Sequence, residues 1–145
     1  MYDIITEKKS LSTPCAECID LERGQETGEL LLSLLKMHKT GVGLAANQVG
    51  INKRICVINV DRPIVLINPK VVGQFGKIIF KEGCLSFPGD YIITERYADI
   101  AVRAANHPNI IYFNVSKNAL ECVCVQHEID HLDGITMFER RIEEK

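Results

Sequence analysis

No run in this chain is apolar and long enough to span a membrane, and the N-terminus, Met1 to Lys9, lacks the apolar centre of a secretory signal. Charge of one sign is also missing. Seventeen basic and nineteen acidic side chains leave a net charge of −2, no electrostatic footprint for nucleic acid or an anionic membrane. There are no repeats, low-complexity tracts or linker. The one glycine-rich stretch, Gly41 to Gln48, has no Gly-Lys-Ser/Thr after it and is therefore not a phosphate loop. These absences exclude an integral helical membrane protein, a repeat scaffold and a P-loop enzyme, and a cytoplasmic protein is expected. What is present is ordinary for a globular chain: 46% hydrophobic and 25% charged residues over 145, expected to form one domain over residues 1–145.

Six cysteines without a secretory signal read as reduced thiols. Cys15-x-x-Cys18 has zinc-knuckle spacing, but no second C-x-x-C completes a tetrahedral set, so it is read as a loop coincidence. Cys56, within Ile55 to Ile58, and Cys124 are expected to be buried free thiols.

In chain order, residues 1–20 read as irregular. The spacing of Leu30, Leu31, Leu34, Leu35 and His38 predicts an amphipathic helix over about 22–39, with Gly24 and Gly28 weakening its first turns. Strands are expected at Arg54 to Val60, Ile64 to Val72, Lys77 to Phe80, Tyr91 to Thr94, Ala98 to Ala104 and Asn109 to Val115. Gly73 to Gly76 and Asn106 to Asn109 read as turns, with His107 exposed. Asn118 and Glu121 predict a capping box opening a second helix, which Asp133-Gly134 closes. The order predicts an α+β fold, a mostly antiparallel sheet packed against a central, metal-binding helix.

That second helix carries Gln126-His127-Glu128-Ile129-Asp130-His131. Residues four apart share a helix face, so His127 and His131 can offer imidazole nitrogens to one ion, with Glu128 placed to reach a water beside it. Leu120, Val123, Cys124, His127 and His131 form one stripe, so the histidines are expected to point inward. A catalytic ion of this kind takes three protein ligands and keeps a position open. Met137, at the place where one protease class has a third histidine, is a poor ligand for a hard ion. The tail offers Glu139, Glu143 and Glu144 but no further helix to bring one back. Cys84, beside Gly83 and ahead of a turn, is the strongest candidate.

Three segments then resemble, in order, the signature motifs of the peptide deformylases: Gly41 to Gln48 is similar to G-x-G-x-A-A-x-Q, Glu82 to Ser86 to E-G-C-L-S, and Gln126 to His131 to Q-H-E-x-D-H. The resemblance covers roughly residues 24 to 138. It implies that Cys84, His127 and His131 hold one divalent ion, Fe²⁺ natively, replaceable by Zn²⁺, Ni²⁺ or Co²⁺. It implies an enzyme that removes the formyl group from the N-terminal methionine of newly made polypeptides. Glu128 would serve as general base and acid, and the Gln48 amide and Leu85 N–H would meet the oxyanion. Val42, Gly43, Phe80, Gly83, Leu120, Val123 and Cys124 would border the bound peptide and its methionine side chain. Two positions depart from the pattern, Gly89 and Tyr91 standing where Glu and Arg are usual. Arg96 is expected to pair with Asp130 and brace the metal helix. The ending fourteen residues after His131, short of the helix by which bacterial forms dock on the ribosome, resembles bacteriophage-encoded members. A peptide-bond-cleaving metalloprotease and a zinc-stabilised binding module remain as alternatives. The first does not need Cys84; the second predicts four protein ligands and has no use for Glu128 or Gln48.

Overall fold

Helix α1, Leu21–Lys36, begins where the Asp20 carboxylate accepts from the backbone N–H groups of Glu22 and Arg23, at 3.1 and 3.2 Å. Such a cap contributes about 1 kcal/mol. The computed structural model describes residues 2–142, and in it Gly24 and Gly28 lie inside this helix, not at a frayed start. A Cβ on Gly28 would sit 2.4 Å from a Val65 methyl, so the missing side chain is what lets α1 lie flat on the sheet beneath it. The helix ends before His38, which is exposed and not part of the apolar stripe.

Beneath α1 lies a three-stranded antiparallel sheet, β1 (Gly43–Ala45), β2 (Ile55–Asn59) and β3 (Pro63–Ile67), in that order. Its strands are apolar without alternation because both faces are covered. Leu44, Ile55, Val57, Val65 and Ile67 pack with Leu31 and Leu35 of α1. Ala45, Cys56, Ile58 and Leu66 face the other way, onto a cluster with Cys122, Val125, Ile129 and Leu132. Those last four belong to α2, Val115–Leu132.

The second sheet, β4 (Lys70–Glu82), β5 (Ile92–Arg103) and β6 (Ile111–Asn114), is also antiparallel and contributes Ile100, Val102 and Phe113 to the same cluster. Helix α2 thus runs between two sheets, and the antiparallel α+β expectation holds with the strands divided in two.

Three strand expectations need correction. Ile64 to Val72 is not one strand but the crossing from the first sheet to the second. Asn68 takes φ 50°, and its amide accepts from Cys18 N–H and donates to Cys18 O, so the chain turns there. Gly73 to Gly76 is no turn: it lies inside the long strand β4, with a register irregularity between Val71 and Gly73. The stretches expected at Tyr91–Thr94 and Ala98–Ala104 fall, but for Tyr91 and Ala104, in the one strand β5, which pairs with β4 from Lys70↔Arg103 to Glu82↔Ile92. Asn106 to Asn109 does connect β5 to β6, but His107 is half-buried, its Nε2 2.9 Å from Val65 O.

Residues before α1 are mostly irregular, with one short 3-10 turn at Ser10–Ser12. They are nonetheless tied down: Cys15 N–H donates to Leu132 O, and Ile5 N–H to Gln48 O. Cys15 and Cys18 enter different core clusters, in keeping with a coincidental C-x-x-C. No described helix is long and apolar enough to cross a membrane.

Candidate metal centre and adjoining cleft

The first turn of α2 is capped by Asn114, whose side chain accepts from Lys117 N–H at 2.9 Å. At Asn118 the backbone leaves the helical region, and the Asn118 side chain then accepts from Glu121 N–H at 2.9 Å. The Asn118 half of the expected capping box is therefore present, at a kink inside a longer helix. From Cys122 to Leu132 every residue is buried. Leu120 is the exception on the sequence stripe, 41% exposed at the edge of a cleft.

His127 and His131 face β4 and the loop after it. His127 Nδ1 lies 2.7 Å from Glu82 Oε1, so this nitrogen donates to the carboxylate and Nε2 is the one turned toward the other donors. His131 Nε2 is 3.2 Å from His127 Nε2 and 3.4 Å from Cys84 Sγ. The three donor atoms of Cys84, His127 and His131 all lie within 4.8 Å of one another. One sulfur and two imidazole nitrogens converging on a point suit a soft-to-borderline divalent ion. The surrounding charge suits one too. Burial works against a proton on either imidazole; around His127 the charge of Glu128, then Cys84 and Glu82, overcomes this and raises its pKa well above 6.5. His131 goes the other way, held well below 6.5 by burial and by the neighbouring His127. The pocket draws positive charge to one spot.

Glu82 is the residue that sequence reasoning passed over. Strand β4 ends on it, and besides His127 it accepts from Arg96 Nε and Nη2 at 2.6 and 2.8 Å and from the Thr94 hydroxyl. Burial pushes its carboxyl up, but the hydrogen bonds from Arg96 and His127 outweigh this and bring it down to about 2. Arg96 continues to Asp130, so one guanidinium ties the strand carboxylate to the helix. The expected Arg96–Asp130 pair is there; its extension through Glu82 to His127 is new. Glu82 stands in the quoted Glu82 to Ser86 segment, but its partners Thr94 and Arg96 lie on the neighbouring strand β5, which pairs it with Ile92.

Glu128 sits one position round the helix, buried, with Oε2 3.9 Å from Cys124 Sγ and Oε1 without a partner among the described residues. Burial, helped by the charge of Glu82, raises its pKa to about 7 against the pull of His127. Gly43 passes directly over it: a Cβ there would be 2.6 Å from Glu128 Oε2. Gln48, in the 3-10 turn Ala46–Val49 after β1, is pinned by accepting from Ala45 N–H at 2.9 Å. Its amide nitrogen then points to Ser86 Oγ at 3.0 Å and lies 3.6 Å from Cys84 Sγ. Leu85 follows Cys84 in the same loop, which closes with Phe87 N–H on Cys84 O.

A cleft of about 650 Å³ opens beside the three donors. It is lined by Val42, Gly43, Phe80, Gly83, Leu120, Val123 and Cys124, and also by Gln48, Cys84, Leu85, His127 and Glu128. His131 lies behind, fully buried. Met137 is core, packed with Leu11, Phe87 and Ile92, and Glu139 takes the Thr136 hydroxyl, so neither approaches the donors. Glu143 and Glu144 lie outside the described residues.

The model of the polypeptide deformylase family matches residues 1–145. The chain belongs to the peptide deformylase family. A peptide deformylase of Hydrogenovibrio crunogenus is 46% identical over 99 residues, 65% of this chain but only 57% of that protein's length. Peptide deformylase 1 of Bacillus cereus is 41% identical over 134 residues, covering 86% of this chain and 81% of the relative. Among solved structures, a peptide deformylase from Synechococcus elongatus in complex with actinonin superposes with a TM-score of 0.87 at 32% identity, covering 99% of this chain and 80% of that one. Against the deformylase pattern, the two departures both fall on the cleft: Gly89 takes φ 83° with open space where a side chain would be, and Tyr91 is 66% exposed.

Proposed function

We infer that this chain hydrolyses the N-formyl group from formylmethionine at the start of newly synthesised polypeptides, releasing formate. The observation that carries the reading is the convergence of Cys84 Sγ, His127 Nε2 and His131 Nε2 beside a buried carboxylate with one unpartnered oxygen. In this reading Cys84, His127 and His131 hold one divalent ion, Fe²⁺ in the cell, with Zn²⁺, Ni²⁺ or Co²⁺ as substitutes. When bound, the ion supplies Lewis acidity and makes water a nucleophile at neutral pH.

The remaining chemistry belongs to the chain. Glu82 holds His127 in the tautomer a ligand needs. Glu128 Oε1, aimed at nothing else, takes the proton of the attacking water and returns it to the departing amine. The Gln48 amide, fixed by Ala45 N–H, and the Leu85 N–H receive the developing oxyanion. Gly43 lets an extended peptide backbone approach, and Val42, Phe80, Leu120, Val123 and Cys124 enclose the methionine side chain. A formyl carbon bears only hydrogen, which suits a reacting corner this crowded. The chain acts in the cytoplasm of a bacterium or of a phage-infected host, on the formylated N-termini of nascent chains.

Formate release from formyl-Met-Ala-Ser by the Ni²⁺-loaded protein tests the reading. Turnover that stops in Cys84→Ala, together with loss of the bound ion, is the expected result. Cleavage of internal peptide bonds that survives Cys84→Ala would instead favour a metalloprotease. If Fe²⁺ is the native ion, activity decays in air while the Ni²⁺ form persists; equal lifetimes would remove that assignment.

A further inference from the structure

The segment ahead of α1 has no regular structure beyond one short turn, yet it meets all three parts of the chain that carry site residues. At its start it lies against the turn that holds Gln48. Ile5 N–H donates to Gln48 O at 2.7 Å, and Ile5 Cδ1 is 3.9 Å from where a Gly50 Cβ would stand. Further on, Leu11 is fully buried in one cluster with Phe87 and Ile92, and Cys84 packs on that cluster. Ser12 O then crowds Gly134 just past α2, 2.7 Å from where a Cβ would be, and Cys15 N–H closes on Leu132 O at 2.8 Å. Ile4 and Ile5 go to opposite sides, as neighbours in an extended chain do. Ile5 packs on the cluster that Cys84 joins, while Ile4 packs on the cluster of Leu44 and Val49 that also receives Leu85.

Gln48 is therefore held twice. Its side chain accepts from Ala45 N–H inside its own turn, and its carbonyl accepts from a strap that comes from far away in the chain. The first bond fixes the rotamer; the second fixes where the turn sits against the Cys84–Leu85 loop. We propose that Ile5 is a positioning residue, whose backbone N–H sets the Gln48 amide at the spacing from Leu85 N–H that an oxyanion needs. The inference rests on the deformylase reading, which gives Gln48 and Leu85 that role, and adds to it an element outside all three motif segments. Oxyanion donors act only when they are aimed at the place where charge develops. A displaced donor therefore weakens the transition state and leaves ground-state binding of the peptide alone.

Three variants separate this donor from the rest of the strap. Ile5→Pro deletes the N–H where extended backbone accepts proline. Ile5→Ala keeps the N–H and deletes most of the side chain. Asn52→Ala breaks a comparable tie of the same segment outside the cleft, Ala16 N–H to Asn52 Oδ1 at 2.9 Å. In the Ni²⁺-loaded proteins, kcat on formyl-Met-Ala-Ser is expected to fall roughly ten- to hundredfold in Ile5→Pro, with KM within about twofold and the ion still bound. Ile5→Ala keeps most of the parent kcat and Asn52→Ala all of it, whatever either does to Tm. Parent kcat in Ile5→Pro overturns the inference. So does a loss of kcat that follows Tm across the three variants, which is the mark of a strap that only stabilises. The side-chain amide resonances of Gln48 in the Zn²⁺-loaded protein read the same positioning without turnover: they move in Ile5→Pro and stay in place in the other two. If the parent hydrolyses no formyl peptide, the deformylase reading fails, and these resonances alone decide for or against Ile5.

Discussion

The two faces of α2 are built to opposite rules. On the back face Asp130 and Gln126 are matched. Asp130 takes Arg96 and also Arg140, at 3.0 Å from both Nε and Nη2. Gln126 accepts from Tyr97 N–H and donates to Tyr97 O, each at 2.9 Å, and to Cys122 O. A larger cavity of about 740 Å³ lies on this side, and most of its charges pair with one another: Arg54 with Asp133, Lys77 with Glu95, Arg96 and Arg140 with Asp130. On the front face Glu128 Oε1 is buried without a partner among the described residues. Unmatched buried polar atoms are costly. They are kept where an ion and a substrate belong, and the back face holds the helix rigid while they wait. Size of cavity is a poorer guide to the chemistry than unsatisfied atoms.

Breaking the back face is expected to have the largest effect on stability. Arg96→Met leaves Glu82 and Asp130 buried without their guanidinium, and should cost about 3–5 kcal/mol in denaturant unfolding; a loss below 1 kcal/mol would mean the two carboxylates find other partners. Acid probes the same link. The Glu82 carboxyl is held at about 2 in the folded chain against 4.5 as a free side chain. Its contribution, on the order of 3 kcal/mol, is therefore complete above pH 4.5 and lost as pH falls through about 2. In Glu82→Gln this part of the acid-unfolding curve should flatten. On the front face, Gly43→Ala drives a methyl into Glu128 and Cys124; overpacking of about 1–3 kcal/mol is expected, with a larger proportional loss of activity than of stability. Arg140→Ala, which removes the solvent-exposed half of the Asp130 clamp, should cost less than about 1 kcal/mol.

The same division decides what could be read before the structure. Ligand spacing on a helix is local, so His127, Glu128 and His131 were legible, and Asn118 as a cap was too. The carrier strands were not. Asn68-Pro69 looked like strand interior between apolar runs, while a positive φ there sends the chain from one sheet to the other. Gly73 and Gly76 read as a turn although long-range pairing with β5 carries one strand through them, with Gly76 at φ 68°. Glu82 escaped as a partner of His127 because their contact spans 45 residues and two elements, which no local pattern encodes. Gly24 and Gly28 read as weakening the first turns of α1, whereas packing against Cys18 and Val65 requires them.

The central claim is that the unmatched carboxylate on the front face exists for chemistry and not for folding. Formate release and thermal unfolding measured on the same Ni²⁺-loaded Glu128→Gln protein test it most directly. The account predicts a fall in kcat on formyl-Met-Ala-Ser of roughly 10²- to 10⁴-fold with a Tm equal to or above that of the parent chain, since a neutral amide is easier to bury. Turnover near the parent rate, or a Tm that drops along with it, would contradict the claim.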